Sequence, residues 1–145
     1  MYRFNLQVLL DYRKHVEEGI QIELSHIQRA FEREKKQLIA FEEEKNHYKD
    51  ELAKREEKRI DVEEGMLYRD YLKGMRIKIR KQRDMVAKIL SELDTKRNEL
   101  LSATKKRKVL ETIRANDWKR FVKVLARREG MVMDEIGIRK YTRHM

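Results

Sequence analysis

One run of this sequence leaves few folds open. From Leu72, apolar residues recur at alternating steps of three and four: Leu72, Met75, Ile79, Gln82, Val86, Ile89, Leu93, Lys96, Leu100, Ala103, Arg107, Leu110, Arg114, Asp117, Phe121, Val124, Arg128 and Met131. Between Leu72 and Ala103 only Gln82 and Lys96 interrupt the apolar character. A heptad pattern kept over this length is the mark of a coiled coil. The later polar members (Arg107, Arg114, Asp117, Arg128) mean either that the seam loosens there or that a neighbour supplies their partners.

A second stripe precedes it: Leu6, Leu9, Arg13, Val16, Ile20, Leu24, Ile27, Phe31, Glu34, Leu38, Phe41, Lys45, Tyr48, Leu52, Arg55, Arg59, Val62. Most members are apolar or aromatic, and the four-residue steps through Val16, Ile20 and Leu24 read as a stutter. No stretch sustains the alternation by two that a strand requires. The chain has no proline, which would cost about 3 kcal/mol inside a helix. The expected fold class is therefore all-α, with two long helices in an antiparallel coiled-coil hairpin.

Gly65, within Asp61–Leu67, is where the reversal is expected, since glycine accepts a positive φ at little cost. Alternatively, Glu63 and Glu64 open the second helix, where the helix dipole favours carboxylates. The boundaries read as one coiled-coil domain over residues 1–145: helix one about 3–62, turn about 63–67, helix two about 68–129, and a tail 130–145 that is helical or frayed. Arms of sixty residues would be about 90 Å long. Folding about Gly65 sets Leu9 near Phe121 and Val16 near Arg114, leaving residues past Gly130 as an overhang. The rival arrangement is one continuous helix in a parallel dimer. Gly19 and Gly74 read as helix-interior glycines at a close helix crossing, and Gly130 and Gly137 as the brackets of a fraying or bending tail.

The charge separates these two arrangements. Residues 1–64 carry 13 basic and 16 acidic side chains, whereas residues 65–145 carry 23 and 10, within a net charge of +10. Halves of opposite sign suit an antiparallel pair, where flanking charges select register more than they add stability. The cationic excess is strongest after residue 96 and calls for an acidic partner.

Chemistry is sparse. The chain has no cysteine, so thiolate catalysis, disulfides and Cys-bound zinc are excluded. His15, His26, His47 and His144 lack metal-ligand spacing and read as rim or solvent-facing; five isolated glycines build no phosphate loop. The runs Glu42–Glu44 and Glu56–Glu57 read as solvated helix faces, because carboxylate acid–base work needs a pocket that splits the pKa values. No cofactor, metal or catalytic residue is expected. No apolar run reaches the ~20 residues of a membrane span. Lys105-Lys106-Arg107-Lys108 fans around the helix, which allows unspecific polyanion affinity and no sequence-specific nucleic-acid recognition. Trp118, Phe121, Val122 and Leu125 with Lys119, Arg120 and Lys123 either form a membrane-surface face or pack on helix one.

Two stretches remain. Tyr68 and Tyr71 sit beside the seam near the reversal, either exposed or closing the turn. In the tail, Met131, Val132, Met133, Ile136 and Ile138 form an apolar cluster outside the hairpin's reach, of the kind that marks a binding surface.

The opening Tyr2-Arg3-Phe4-Asn5-Leu6-Gln7-Val8-Leu9-Leu10-Asp11-Tyr12-Arg13 resembles the F-x-L-Q-x-L-L-x-x-R start of the bacterial flagellar FliJ family. Tyr68-Arg69-Asp70-Tyr71-Leu72 is similar to that family's mid-chain Y-x-x-[FY]-[IL], and Met133-Asp134-Glu135, followed by Arg139 and Lys140, to its late M-D-[DE] segment. The ordered trio covers essentially the whole chain.

The resemblance implies a non-enzymatic, cytoplasmic component of the flagellar type III protein export apparatus, peripherally associated with the inner membrane at the flagellar base and serving motility. It implies a coiled coil like the central stalk of rotary ATPases, which binds the hexameric export ATPase and its regulator, promotes ATPase assembly and activity, contacts the export gate and escorts export chaperones. It assigns Phe4, Leu6, Arg13, Phe121, Met131, Met133, Asp134, Glu135 and Ile136 to the ATPase ring, and Tyr71, Leu72 and Met75 to the gate. An asymmetric stalk in a six-fold ring meets its subunits unequally and so can bias their states. A basic coiled coil that binds nucleic acid, and the stalk of a virulence secretion system or rotary ATPase, are the alternative readings.

Overall fold

The computed structural model describes residues 2–143, so His144 lies outside the described residues. Two helices account for nearly all of them: α1, Gln7–Glu57, and α2, Val62–Arg143, with no strand among the described residues. The chain forms two compact units, a terminal unit (Met1–Gly19 with Leu100–Met145) and a hairpin unit (Ile20–Glu99). In each, α1 and α2 pack antiparallel.

The seam of α2 follows the heptad frame closely. Every member from Leu72 to Phe121 is buried or half-buried, and Val124, Arg128 and Met131 are exposed. The seam of α1 differs from expectation near its start. Leu6 and Leu9 are exposed, while Leu10 is fully buried and Glu17 is buried. The observed frame is Leu10, Arg13, Glu17, Ile20, Leu24, Ile27, Phe31, Glu34, Leu38, Phe41, Lys45, Tyr48, Leu52, all buried or half-buried. Its steps alternate three and four without interruption, so there is no stutter. The expected one came from preferring apolar Val16 to charged Glu17. Glu17 is accommodated because Arg107 stands across the seam.

The polar members of the α2 seam from Gln82 to Asp117 find their partners on α1 or on the segment that precedes it. In the hairpin unit, Gln82 donates to the Glu34 carboxylate (2.7 Å) and carbonyl (2.9 Å), and Lys96 reaches Glu23 at 2.6 Å. In the terminal unit, Arg107 pairs with Glu17, and the hydroxyl of Tyr2 donates to Asp117 at 3.0 Å. Polar seam residues of this kind cost stability relative to apolar ones and fix register.

The reversal lies at residues 58–61, and Gly65 sits in the first turns of α2. The residue in the left-handed region is Arg59, with φ of 59°; no glycine has a positive φ. The last turn of α1 closes through Lys58 N–H to the Arg55 carbonyl (3.1 Å) and Arg59 N–H to that of Glu56 (3.2 Å). Helix α2 starts as Gly65 N–H bonds the Asp61 carbonyl at 3.0 Å, with Glu63 and Glu64 in its first turn where the dipole favours them. A reversal placed earlier shifts each partner by twice the displacement. Arg114 thus comes within 3.5 Å of Gln7, and Arg107 pairs with Glu17, instead of Arg114 facing Val16.

The tail from residue 130 is helical through Arg143. Two further expectations change. Gly19 and Gly74 are helix-interior but lie at no close crossing, as nothing stands within 4 Å of where a Cβ would be. Arg55, Arg59 and Val62 are exposed because α1 has ended or is ending at that point.

Candidate docking surfaces

In the terminal unit, Phe4 packs with Leu10 and Leu110, and Tyr2 lies against that cluster. The chain enters α1 through Gln7 N–H bonded to the Phe4 carbonyl at 3.1 Å, which turns the Phe4 ring inward. The Tyr2 ring meets Trp118 edge-on at 5.0 Å and Phe121 at 5.1 Å, while Trp118 stacks on Phe121 at 5.6 Å. Burial, and then the hydrogen bond to Asp117, push the Tyr2 phenol above its ordinary pKa. Next to this cluster a cleft of about 710 Å³ opens between the N-terminal segment and α2, lined by Tyr2, Arg3, Phe4, Gln7, Arg114 and Trp118 among others.

Deeper in the same unit, Glu17 accepts from Arg107 and from the Thr104 hydroxyl (3.3 Å), and Arg107 also reaches Glu111 at 2.8 Å. The Glu17 hydrogen bond, more than that of Glu111, holds the Arg107 guanidinium above its already high pKa.

The residues assigned to the ATPase ring do not form one surface. Phe4 is core, Arg13 and Phe121 are half-buried, and Leu6 is exposed. Met131, Met133, Asp134, Glu135 and Ile136 are exposed on the α2 extension, about 15 Å or more along the helix from Phe121. Val122, Leu125 and Val132 are exposed there too. The sequence shows Val122 and Leu125 in one cluster and Val132 in another, and the stripe that joins them is hidden when the frame is carried on through Val124, Arg128 and Met131. The spacing that reveals them is the one that continues from Trp118.

In the hairpin unit, Tyr71 is 40% exposed, whereas Leu72 and Met75 are buried in the seam. The Tyr71 hydroxyl donates to Glu44 at 2.5 Å, and its ring lies 4.6 Å from that of Tyr48. That hydrogen bond, with burial, pushes its pKa up to about 12. Tyr68 is half-buried, with the Arg55 guanidinium 5.4 Å from its ring centre. Of the two tyrosines, Tyr68 thus belongs to the packing near the turn, and Tyr71 keeps an open face.

Among the described residues no three His, Asp or Glu side chains gather into a metal-binding group, and no helix is long and apolar enough to cross a membrane. His15, His26 and His47 are exposed.

Set against models of known protein families, residues 2–145 match the one described as Flagellar FliJ protein. The chain belongs to the FliJ family. No curated protein and no solved structure matches it. FliJ-family membership makes the chain a component of the flagellar export apparatus, a non-enzymatic class of component. The heptad seams, the antiparallel packing and the exposed α2 extension are the features this FliJ-family chain brings to that apparatus.

Proposed function

We propose that this chain is a stalk-like factor of the export apparatus that binds the hexameric export ATPase, promotes its assembly and raises its activity. The observation that carries the reading is the α2 extension. It leaves the seam at Phe121 as a single exposed helix with Met131, Val132, Met133, Ile136 and Ile138 uncovered, in a chain matched to the FliJ family over residues 2–145. A lone helix is about 10–12 Å across with its side chains, narrow enough for the hole of a subunit ring. Exposed apolar groups among cations give it both an adhesive and an orienting component.

Within this proposal Met131, Met133, Asp134, Glu135 and Ile136 contact the ring directly. Phe4 and Phe121 act from behind, by fixing the base of the extension, and Leu6 and Arg13 border it. Tyr71 carries the contact with the export gate, backed by Leu72 and Met75 inside the seam. Escort of export chaperones, contact with the ATPase regulator, and a cytoplasmic place at the inner membrane of the flagellar base complete the proposal. Co-purification with the export ATPase tests it. The full chain should be retained by the ATPase, and Met133→Glu with Ile136→Glu should abolish retention while helix content persists. Undiminished retention of that variant would reject the extension as the docking segment.

A further inference from the structure

The α2 extension carries a second heptad seam, offset by one residue from the first. Trp118, Val122, Leu125, Glu129, Val132 and Ile136 follow one another at steps of four and three. Five of the six are apolar, and those five are between 43% and 56% exposed. Continuing the first seam past Phe121 gives Val124, Arg128, Met131 and Glu135, in which two of four are charged. The offset therefore turns the apolar stripe away from α1, and it does so where Tyr2 caps Trp118 and Phe121.

Along α2, three polar seam residues are each met by a carboxylate of α1, Gln82 by Glu34, Lys96 by Glu23 and Arg107 by Glu17. Glu129 is the polar layer of the second seam. Among the described residues no ion pair engages it, and the residues three and four away on its own helix are Leu125, Ala126, Val132 and Met133, none of them a cation. The stripe is edged by Lys119 and Lys140 on one side and by Arg128 and Glu135 on the other. Residues 118–143 hold eight Lys and Arg against three Asp and Glu.

We propose that this seam is completed by one amphipathic helix of a partner protein, acidic along its edges and bearing a single Lys or Arg within its apolar stripe opposite Glu129. The edge charges supply complementarity, and the buried Glu–cation layer fixes register, as a lone polar layer does in a coiled coil. A second copy of the chain fits less well, since two such segments repel. A lipid surface is disfavoured by a carboxylate at the middle of the stripe. The inference rests on the reading of the α2 extension as a docking segment and deepens it by specifying what the partner must present.

Trp118 is the only tryptophan, so its emission reports on the seam. The probe is a synthetic four-heptad helix with Leu and Val in its stripe, Glu along both edges and one Lys at the central layer, titrated into the full chain. Saturable one-to-one binding with a blue shift is expected. A peptide with Glu at the central layer should bind at least ten-fold more weakly, and Glu129→Lys should reverse that preference. Leu125→Asp, at an exposed site, should lose binding with helix content unchanged. Equal affinity for the two peptides, no binding of the Lys-layer peptide, sedimentation of the free chain as a dimer through this segment, or the same blue shift with anionic vesicles alone would each overturn it. ATPase retention is read separately. Its loss with peptide recognition intact defeats the functional proposal alone, and the converse defeats this inference alone.

Discussion

Arg107 on α2 closes an ion pair with Glu17 on α1 inside the seam of the terminal unit, and Thr104 donates to the same carboxylate. Glu17 is 7% exposed and is the only charged side chain buried among the described residues. Removing one member strands the other, whereas replacing both with apolar residues of similar size is often neutral or stabilising. Glu17→Ala and Arg107→Ala should each lower Tm, and Glu17→Leu with Arg107→Met should recover most or all of the loss. Thermal melts by circular dichroism read this. A double variant no better than the singles would mean the pair adds stability beyond register.

Leu10 carries the apolar packing beside that pair. Leu10→Ala should cost about 2–5 kcal/mol by denaturant unfolding, because the site is fully buried between α1 and α2. Leu9→Ala should cost well under that. Equal losses would restore the frame in which Leu9 is the seam residue.

The reversal makes opposite demands on two residues. Arg59 pays a steric cost for its left-handed conformation, so Arg59→Gly should stabilise by up to about 1 kcal/mol. Gly65 is in helical conformation, and a Cβ there would meet Ile60 Cδ1 at 3.4 Å, an ordinary contact. Gly65→Ala should therefore stabilise by about 0.4–1 kcal/mol through the unfolded chain. Destabilisation by Gly65→Ala would return the turn to Gly65.

Tyr71 should titrate near pH 12, with Glu44→Gln bringing it toward the ordinary value of 10. The folded chain holds this proton more tightly than the unfolded one. The stabilisation is thus fully present below about pH 10 and is lost as pH rises from there to about 12. Phenolate absorbance of wild type and variant checks the shift. Coincident titrations would remove the Tyr71–Glu44 hydrogen bond from the account.

The α2 seam was legible in the sequence because a long apolar run states its own period, and each of its members from Leu72 to Phe121 is covered. The start of α1 was not legible, since a carboxylate in a seam looks wrong until Arg107 is known to face it. The turn was less legible: Gly65 is the better residue for a positive φ, but the residue that adopts one is Arg59, which closes the last turn of α1. The candidate surfaces were legible as segments and not as faces. Sequence placed Met131–Ile136 in an uncovered tail, yet only burial separates Tyr71 from Leu72 and Met75, or Phe4 from Leu6. The offset seam through Trp118 and Leu125 became visible once the first seam was seen to end at Phe121.

Whether the chain works as a stalk is read from the turnover of the export ATPase as the full chain is titrated into it. A stalk seated in a hexameric ring should raise the rate and saturate near one chain per six ATPase subunits, and Met133→Glu with Ile136→Glu should leave the rate at its basal level. An unchanged rate, or saturation at one chain per subunit, would contradict the account.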